Sequence, residues 1–72
     1  MGKEKIGANA GIVWRMLYEF NDWETLEGIS RKTGLDIAQT AAAIGWLARE
    51  DKILIQNEGG ETYYAVYREH YY

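Results

Sequence analysis

The sequence predicts a small α+β domain in which three helices are followed by a β-hairpin. The apolar residues recur every three or four positions up to about residue 50, which is the period of a helix. After Asp51 they alternate with the period of a strand, and β-branched and aromatic residues become frequent. A chain of 72 residues has room for one domain, which we expect to span 1–72.

Capping residues and one glycine set the expected helix ends. Asn9, Thr25 and Asp36 each precede a segment with helical periodicity, and all three are good N-cap residues. Gln39 follows Asp36 at the spacing of a capping box, and Gly34 suits the left-handed conformation that ends a helix. We therefore expect three helices, at about 10–20, 26–33 and 37–50.

The third predicted helix has one apolar side. Its inward-facing residues are expected to be Ile37, Ala41, Ile44, Leu47 and Ala48. At about 100° per residue, this arrangement directs Ala42, Ala43 and Trp46 towards solvent. We expect Trp46 either to fold down onto the hairpin or to serve as an exposed anchor for a partner.

The last third of the chain predicts the hairpin. "KILIQ" and "ETYYAVY" have the composition of strands, and "NEGG" between them has the residues of a tight turn. We expect this hairpin at about 52–67. Two helices joined by a short turn that contains glycine form a helix-turn-helix, and a hairpin that follows it forms a wing.

The segment "ISRKTGLDIAQTAAAIGWLAREDKILI" resembles the winged helix-turn-helix superfamily. The residues that match its pattern of turn, helix and first wing strand are Gly34, Ile44, Leu47, Asp51 and Ile53. Asp51 stands where that pattern often has Gly, and Asp adopts turn conformations. The stretches "KIGANAGIVWRML", "GWLAREDKI" and "EGGETYY" resemble, more narrowly, a group of small, uncharacterised bacterial winged-helix proteins. The resemblance implies a three-helix bundle with a C-terminal β-hairpin wing, and a link to DNA or transcription.

The first functional hypothesis is a transcription-regulator type of protein that binds double-stranded DNA as a dimer. Base recognition requires hydrogen-bonding side chains on the solvent face of the third helix. Its candidates there are Gln39 and Thr40, whereas Arg49, at the far end of the same helix, is better placed for a phosphate or a salt bridge. The candidates for phosphate contacts are Arg31, Lys32 and Lys52.

The distribution of charge argues against this hypothesis. The formal net charge is −3, and the whole excess of negative charge lies in residues 36–72. The wing loop is flanked by Glu58 and Glu61, where wings that bind phosphate need Lys or Arg. A polyanion is therefore repelled by the half of the chain that carries the third helix and the wing.

The second hypothesis is a protein-interaction or homodimerisation module without intrinsic DNA binding. The first predicted helix and the C-terminal strand carry more large apolar groups than one buried side requires, which indicates a partner surface. We expect homodimerisation through one of these two elements. The candidate contact residues on the helices and the strand are Ile12, Met16, Ala42, Ala43, Trp46, Tyr63, Tyr67 and Tyr71.

The sequence lacks the parts of an enzyme or of a metal site. Its one His, His70, lies near the C-terminus, its one Ser, Ser30, lies inside a predicted helix, and there is no Cys. No apolar run is long enough to span a membrane, and the N-terminal segment lacks the apolar stretch of a signal peptide. We therefore expect no catalytic residue, metal, cofactor or small-molecule substrate, and a cytoplasmic location.

Overall fold

The computed structural model describes residues 1–68 of the chain. Its elements, in chain order, are α1 (Lys3–Phe20), α2 (Leu26–Thr33), α3 (Ile37–Arg49), β1 (Ile53–Glu58) and β2 (Glu61–Val66). β1 and β2 form an antiparallel hairpin. This order of three helices and a hairpin confirms the predicted fold class.

The first helix begins at Lys3, so the prediction that it begins after an Asn9 cap was wrong. Asn9 lies in the interior of α1, and only 1% of its surface is exposed. The segment before it contains Lys, Glu and Ala, which are good helix formers, and it lies against the ring of Trp46 on α3 at Gly7. A residue suited to a cap does not begin a helix when tertiary contacts favour helix on both sides of it.

The predicted caps of the other two helices are confirmed. The Thr25 hydroxyl accepts a hydrogen bond from the backbone N–H of Gly28 at 3.1 Å, and Gly34 ends α2 with a φ of 80°. Asp36 and Gln39 form the capping box: the Asp36 carboxylate accepts from the N–H of Gln39 at 2.7 Å, and the Gln39 amide oxygen accepts from the N–H of Asp36 at 3.1 Å. These contacts fix the two ends of α2 and the start of α3, and so the length of the turn between them.

The buried side of α3 is rotated from the predicted one. Ile44 and Leu47 are buried as expected, but Ile37 is 47% exposed and Ala41 also faces solvent. Thr40 and Ala43 complete the buried side instead. Burial of Thr40 costs little because its hydroxyl donates a hydrogen bond to the backbone carbonyl of Asp36 at 2.7 Å.

The hairpin turns on two glycines. Gly59 and Gly60 have φ values of 60° and 81°, as a type I′ turn requires, and Asn57 and Glu58 belong to β1 rather than to the loop. The hairpin spans 53–66, so it is one residue shorter at each end than the predicted wing of about 52–67.

A short extended segment before α2 adds a third member to the sheet, because Glu24 and Tyr64 exchange two backbone hydrogen bonds of 2.9 and 2.8 Å.

The core lies where all five elements meet. Its buried apolar residues are Ala10, Val13, Leu17, Ile29, Ala43, Ile44, Leu47, Ile53 and Val66. α1 packs against α2, α3 and β2, so it is the central element of the bundle. Within residues 1–68, no helix combines the length and the apolar character needed to cross a membrane.

Candidate interaction surface

The outward face of α3 is smooth and almost free of hydrogen-bonding side chains. The small residues along the middle of this face are Ala38, Ala41, Ala42 and Gly45, and they are exposed or half-buried. Ile37, 47% exposed, lies on one flank, and Trp46, 40% exposed, lies on the other. Arg49 follows at the last turn of the helix. We call this set of residues the α3 face.

The two residues expected to contact bases are not available for that role as predicted. Thr40 is fully buried and its hydroxyl is bonded to the Asp36 carbonyl, so the assignment of Thr40 to a base contact was wrong. Gln39 is half-buried, and its amide oxygen is held by the N–H of Asp36 in the capping box. The alternative noted for Gln39, that the cap occupies it, is the one observed.

The basic residues expected at phosphates lie at three separate places. Arg31 and Lys32 lie in the last turn of α2, Arg49 at the end of α3, and Lys52 just before β1. Arg31, Arg49 and Lys52 are exposed, and the exposed Glu50 lies in the chain between Arg49 and Lys52. Lys32 is engaged within the protein, as an ion pair and over an aromatic ring.

The ion pair joins the end of α2 to the segment before it. The Lys32 ammonium donates to the Glu24 carboxylate and lies 4.6 Å from the centre of the Phe20 ring. This hydrogen bond holds the pKa of Glu24 below its ordinary value of 4.5; partial burial acts in the opposite direction, and the N–H of Thr25 supports the lowering. Lys32 is thus a structural residue that links α1, α2 and the edge of the sheet.

Glu24→Gln is expected to flatten the pH dependence of stability. A lowered pKa in the folded state means that the Glu24 carboxylate adds stability above 4.5, and that this stability is lost as the pH falls through the lowered value. The variant should therefore lose less than about 1 kcal/mol at pH 7, because the pair is partly exposed. Its difference from the original protein should vanish at acidic pH. Urea unfolding between pH 3 and 7 measures this, and a difference that stays constant with pH would contradict it.

The expected contact residues of α1 lie in a shallow groove between α1 and α2. Ile12 is exposed, whereas Met16 is half-buried and packs against the core. The groove continues over Phe20 to Lys32 and Thr33. Ile12 is thus the more accessible of the two predicted contact residues.

The expected contact residues of α3 and β2 differ in accessibility. Ala43 is fully buried, so its assignment to a partner surface was wrong, and Ala42 is half-buried. A methyl group placed on Gly7 would lie 3.6 Å from Cζ2 of the Trp46 ring, so this ring rests against α1 while part of it remains exposed. On the strand, Tyr63 is half-buried and Tyr67 is exposed, and Tyr71 lies outside the described residues.

Two features of the surface have no clear signal in the sequence. Arg68, after β2, donates to the carbonyl of Tyr18 and lies 3.8 Å from the centre of the Tyr18 ring, which stacks on Trp14. This contact ties the end of the hairpin to α1.

Gly45 lies on the α3 face with open space around it, so nothing inside the described part of the fold requires a glycine there. Only the observed rotation of α3 shows that Gly45 belongs to the exposed side.

A helix-turn-helix followed by a β-hairpin, with a short strand beside it, defines the winged helix class of protein. Residues 1–66 match the family described as "Winged helix-turn-helix domain (DUF2582)", and the chain belongs to this family.

Two relatives agree with that assignment. The uncharacterized protein MJ1608 of Methanocaldococcus jannaschii is 42% identical over 52 residues, which cover 71% of this chain and 74% of that protein. The solution NMR structure of protein BT2368 from Bacteroides thetaiotaomicron is similar with a TM-score of 0.84 and 41% identity, over 92% of this chain and 79% of that chain.

Proposed function

We propose that the protein is a winged-helix module that binds another protein through the α3 face, without reading DNA bases. The observation that carries this proposal is the composition of that face. A helix-turn-helix protein that reads bases places hydrogen-bonding side chains at the N-terminal part of this helix. Here Ala38, Ala41 and Ala42 occupy those positions, and the exposed Ile37 and Trp46 flank them.

The glycine of this face supports the proposal. Glycine inside a helix costs roughly 0.5–1 kcal/mol relative to alanine, and at Gly45 no contact within the described residues requires it. A residue without a side chain at an exposed position permits close approach by another surface. The exposed Ile37 and Trp46 on the two flanks are apolar, so they favour contact with a protein surface over contact with a charged phosphate backbone.

Gly45→Glu is expected to abolish binding of the partner without harming the fold. Open space surrounds Gly45, so the new side chain extends into solvent, and removal of a helical glycine should raise the free energy of unfolding by roughly 0.5 kcal/mol or more. Gly11→Glu is a matched control, because Gly11 is also exposed within a helix, also has open space around it, and undergoes the same change of charge.

The measurement is site-specific photo-crosslinking in cells from a reactive residue at position 41, with stability followed by urea unfolding. We expect a discrete adduct that Gly45→Glu removes and Gly11→Glu retains. An adduct that survives both changes, or that is equally abundant from a reactive residue at the exposed position 8 of α1, would overturn the proposal.

DNA binding of the transcription-regulator type is the second candidate. Membership of the winged-helix family and the exposure of Arg31, Arg49 and Lys52 favour it. It requires an affinity for mixed-sequence duplex that falls steeply with salt and falls further when these three residues are changed to Ala. Fluorescence anisotropy at low salt separates the candidates: we expect no saturable binding, and a salt-dependent isotherm weakened by the triple substitution would favour DNA.

A role without catalysis, in the cytoplasm of a bacterium, is part of the same proposal. The composition of the sequence supports this part of the proposal, since one His, one Ser and no Cys leave few side chains for nucleophilic or acid–base catalysis. Purified protein tested for hydrolysis of generic ester and phosphate substrates should show no turnover above the buffer rate.

A further inference from the structure

The outer edge of β1 is the unpaired edge of the sheet. β2 lies between β1 and the Glu24 segment, so both of its edges form backbone hydrogen bonds. Among residues 1–68, no strand pairs with the other side of β1. An open edge of this kind is a template for another strand.

The register of the hairpin shows which backbone groups this edge presents. The N–H of Tyr67 donates to the carbonyl of Lys52 at 2.9 Å, so Lys52 directs its backbone towards β2. Hydrogen-bonding direction alternates along a strand. Ile53, Ile55 and Asn57 therefore direct their N–H and C=O groups away from β2, towards the open edge.

The same edge is apolar on both sides of the strand. Leu54 is 43% exposed and Ile55 is 50% exposed, and they lie on opposite faces because side chains alternate. Natural proteins protect such edges with charge, proline or a covering strand. The four residues from Ile53 to Gln56 include neither a charge nor a proline.

Charges at the two ends of β1 complement each other in a self-pairing. In an antiparallel pair of two copies with Ile55 opposite Ile55, Lys52 of each copy lies opposite Glu58 of the other. The two residues lie on one face of the strand, since six positions separate them. In the two-fold register centred on Leu54, Lys52 lies opposite Gln56 and Glu58 lies opposite Glu50. In the register centred on Gln56, Lys52 lies opposite Gly60 and Glu58 lies opposite Leu54. Only the register centred on Ile55 forms two opposite-charge pairs.

We propose that β1 pairs with β1 of a second copy of this chain, antiparallel about Ile55, to form a homodimer with a continuous sheet. The pairing closes at two copies, because the Glu24 segment already covers the far edge of β2 in each copy. This places self-association on β1, not on α1 or the tyrosine-rich β2 as the sequence indicated. The proposal does not depend on the α3 face, which is a different surface.

Charge reversal tests the register. Lys52→Glu places two Glu–Glu pairs across the interface, and Glu58→Lys places two Lys–Lys pairs there. Each single variant should raise the dimer dissociation constant by at least about tenfold at low salt. The double variant Lys52→Glu/Glu58→Lys restores opposite charges and should dimerise like the original protein. An equimolar mixture of the two single variants should also dimerise, because both of its cross-strand pairs are Glu–Lys.

Sedimentation velocity over a range of concentrations measures these constants, and circular dichroism checks that each variant is folded. Glu4→Lys is the matched control, since it makes the same charge change as Glu58→Lys at an exposed position in the first turn of α1, outside the hairpin. It should shift the constant by no more than about threefold. A protein that stays monomeric up to about 1 mM, or a double variant and mixture that fail to restore association, would overturn the proposal.

Amide exchange of the original protein gives a second readout. The N–H groups of Ile53, Ile55 and Asn57 should become protected as the concentration rises, while those of Leu54 and Gln56, which point to β2, should not change. Concentration-dependent protection on α1 or α3 instead of on this alternating set would also contradict the proposal. Gly45→Glu, which alters only the α3 face, should leave dimerisation unchanged and so separates this inference from the proposed function.

Discussion

Leu17→Ala is expected to lower the free energy of unfolding by about 2–5 kcal/mol. Leu17 is fully buried in α1, the helix that packs against α2, α3 and β2. The substitution removes apolar contacts and leaves a cavity that well-packed neighbours fill only in part. A domain of this size has a total stability of roughly 4–11 kcal/mol, so the loss is a large share of it.

Urea unfolding followed by tryptophan fluorescence measures this effect. Ile12→Ala is the matched control, because Ile12 lies on the exposed side of the same helix and loses a side chain of the same size. Its effect should stay within about 0.5 kcal/mol. A Leu17→Ala variant that unfolds within about 1 kcal/mol of the original protein would show that α1 is not the centre of the core.

Asn9→Asp is expected to lower the free energy of unfolding at pH 7 by about 3–5 kcal/mol, the cost of a buried charge without a partner. Asn9 is buried in α1, and its amide nitrogen has no hydrogen-bond partner among residues 1–68. Aspartate has the same shape but brings a negative charge into this site. The loss should shrink as the pH falls, because protonation removes the charge.

Two companion variants separate charge from packing at this site. Ala8→Asp makes the same charge change at the exposed neighbouring position and should have an effect within about 0.5 kcal/mol. Asn9→Ala should change stability by no more than about 1 kcal/mol, because the removal of an unsatisfied buried amide and the better helix propensity of Ala offset the cavity left by a fully buried side chain. If Asn9→Ala instead costs as much as Leu17→Ala, the amide has a partner that stabilises the fold.

The parts of the fold that could be predicted are those that a few neighbouring residues determine. The Thr25 cap, the capping box of Asp36 and Gln39 and the left-handed Gly34 all depend on groups within four positions of one another. The same holds for the left-handed Asp51, whose φ is 56°. Local backbone geometry and hydrogen bonding suffice to specify these features, so the order of elements followed correctly.

The candidate surface was predicted less well, because burial depends on where the other helices lie. Periodicity favoured Ile37 over Thr40 as a buried residue, since it ranks side chains by apolar character. In the fold Thr40 is buried with its hydroxyl bonded to the backbone of its own helix, and Ile37 lies beyond the reach of the core. A rotation of α3 by less than one residue step exchanges these roles, and no local rule determines it.

The amino-acid order alone therefore specifies three helices, a hairpin and most of their ends, because caps, turns and periodicity are short-range properties. The tertiary structure alone decides that α1 extends back to Lys3, that Ala43 is buried and that Lys32 pairs with Glu24. It also decides that β1 keeps an open edge, since the segment around Glu24 covers β2 from the other side. Each of these depends on the relative placement of elements, where one helix rotation or one strand position determines which groups reach solvent.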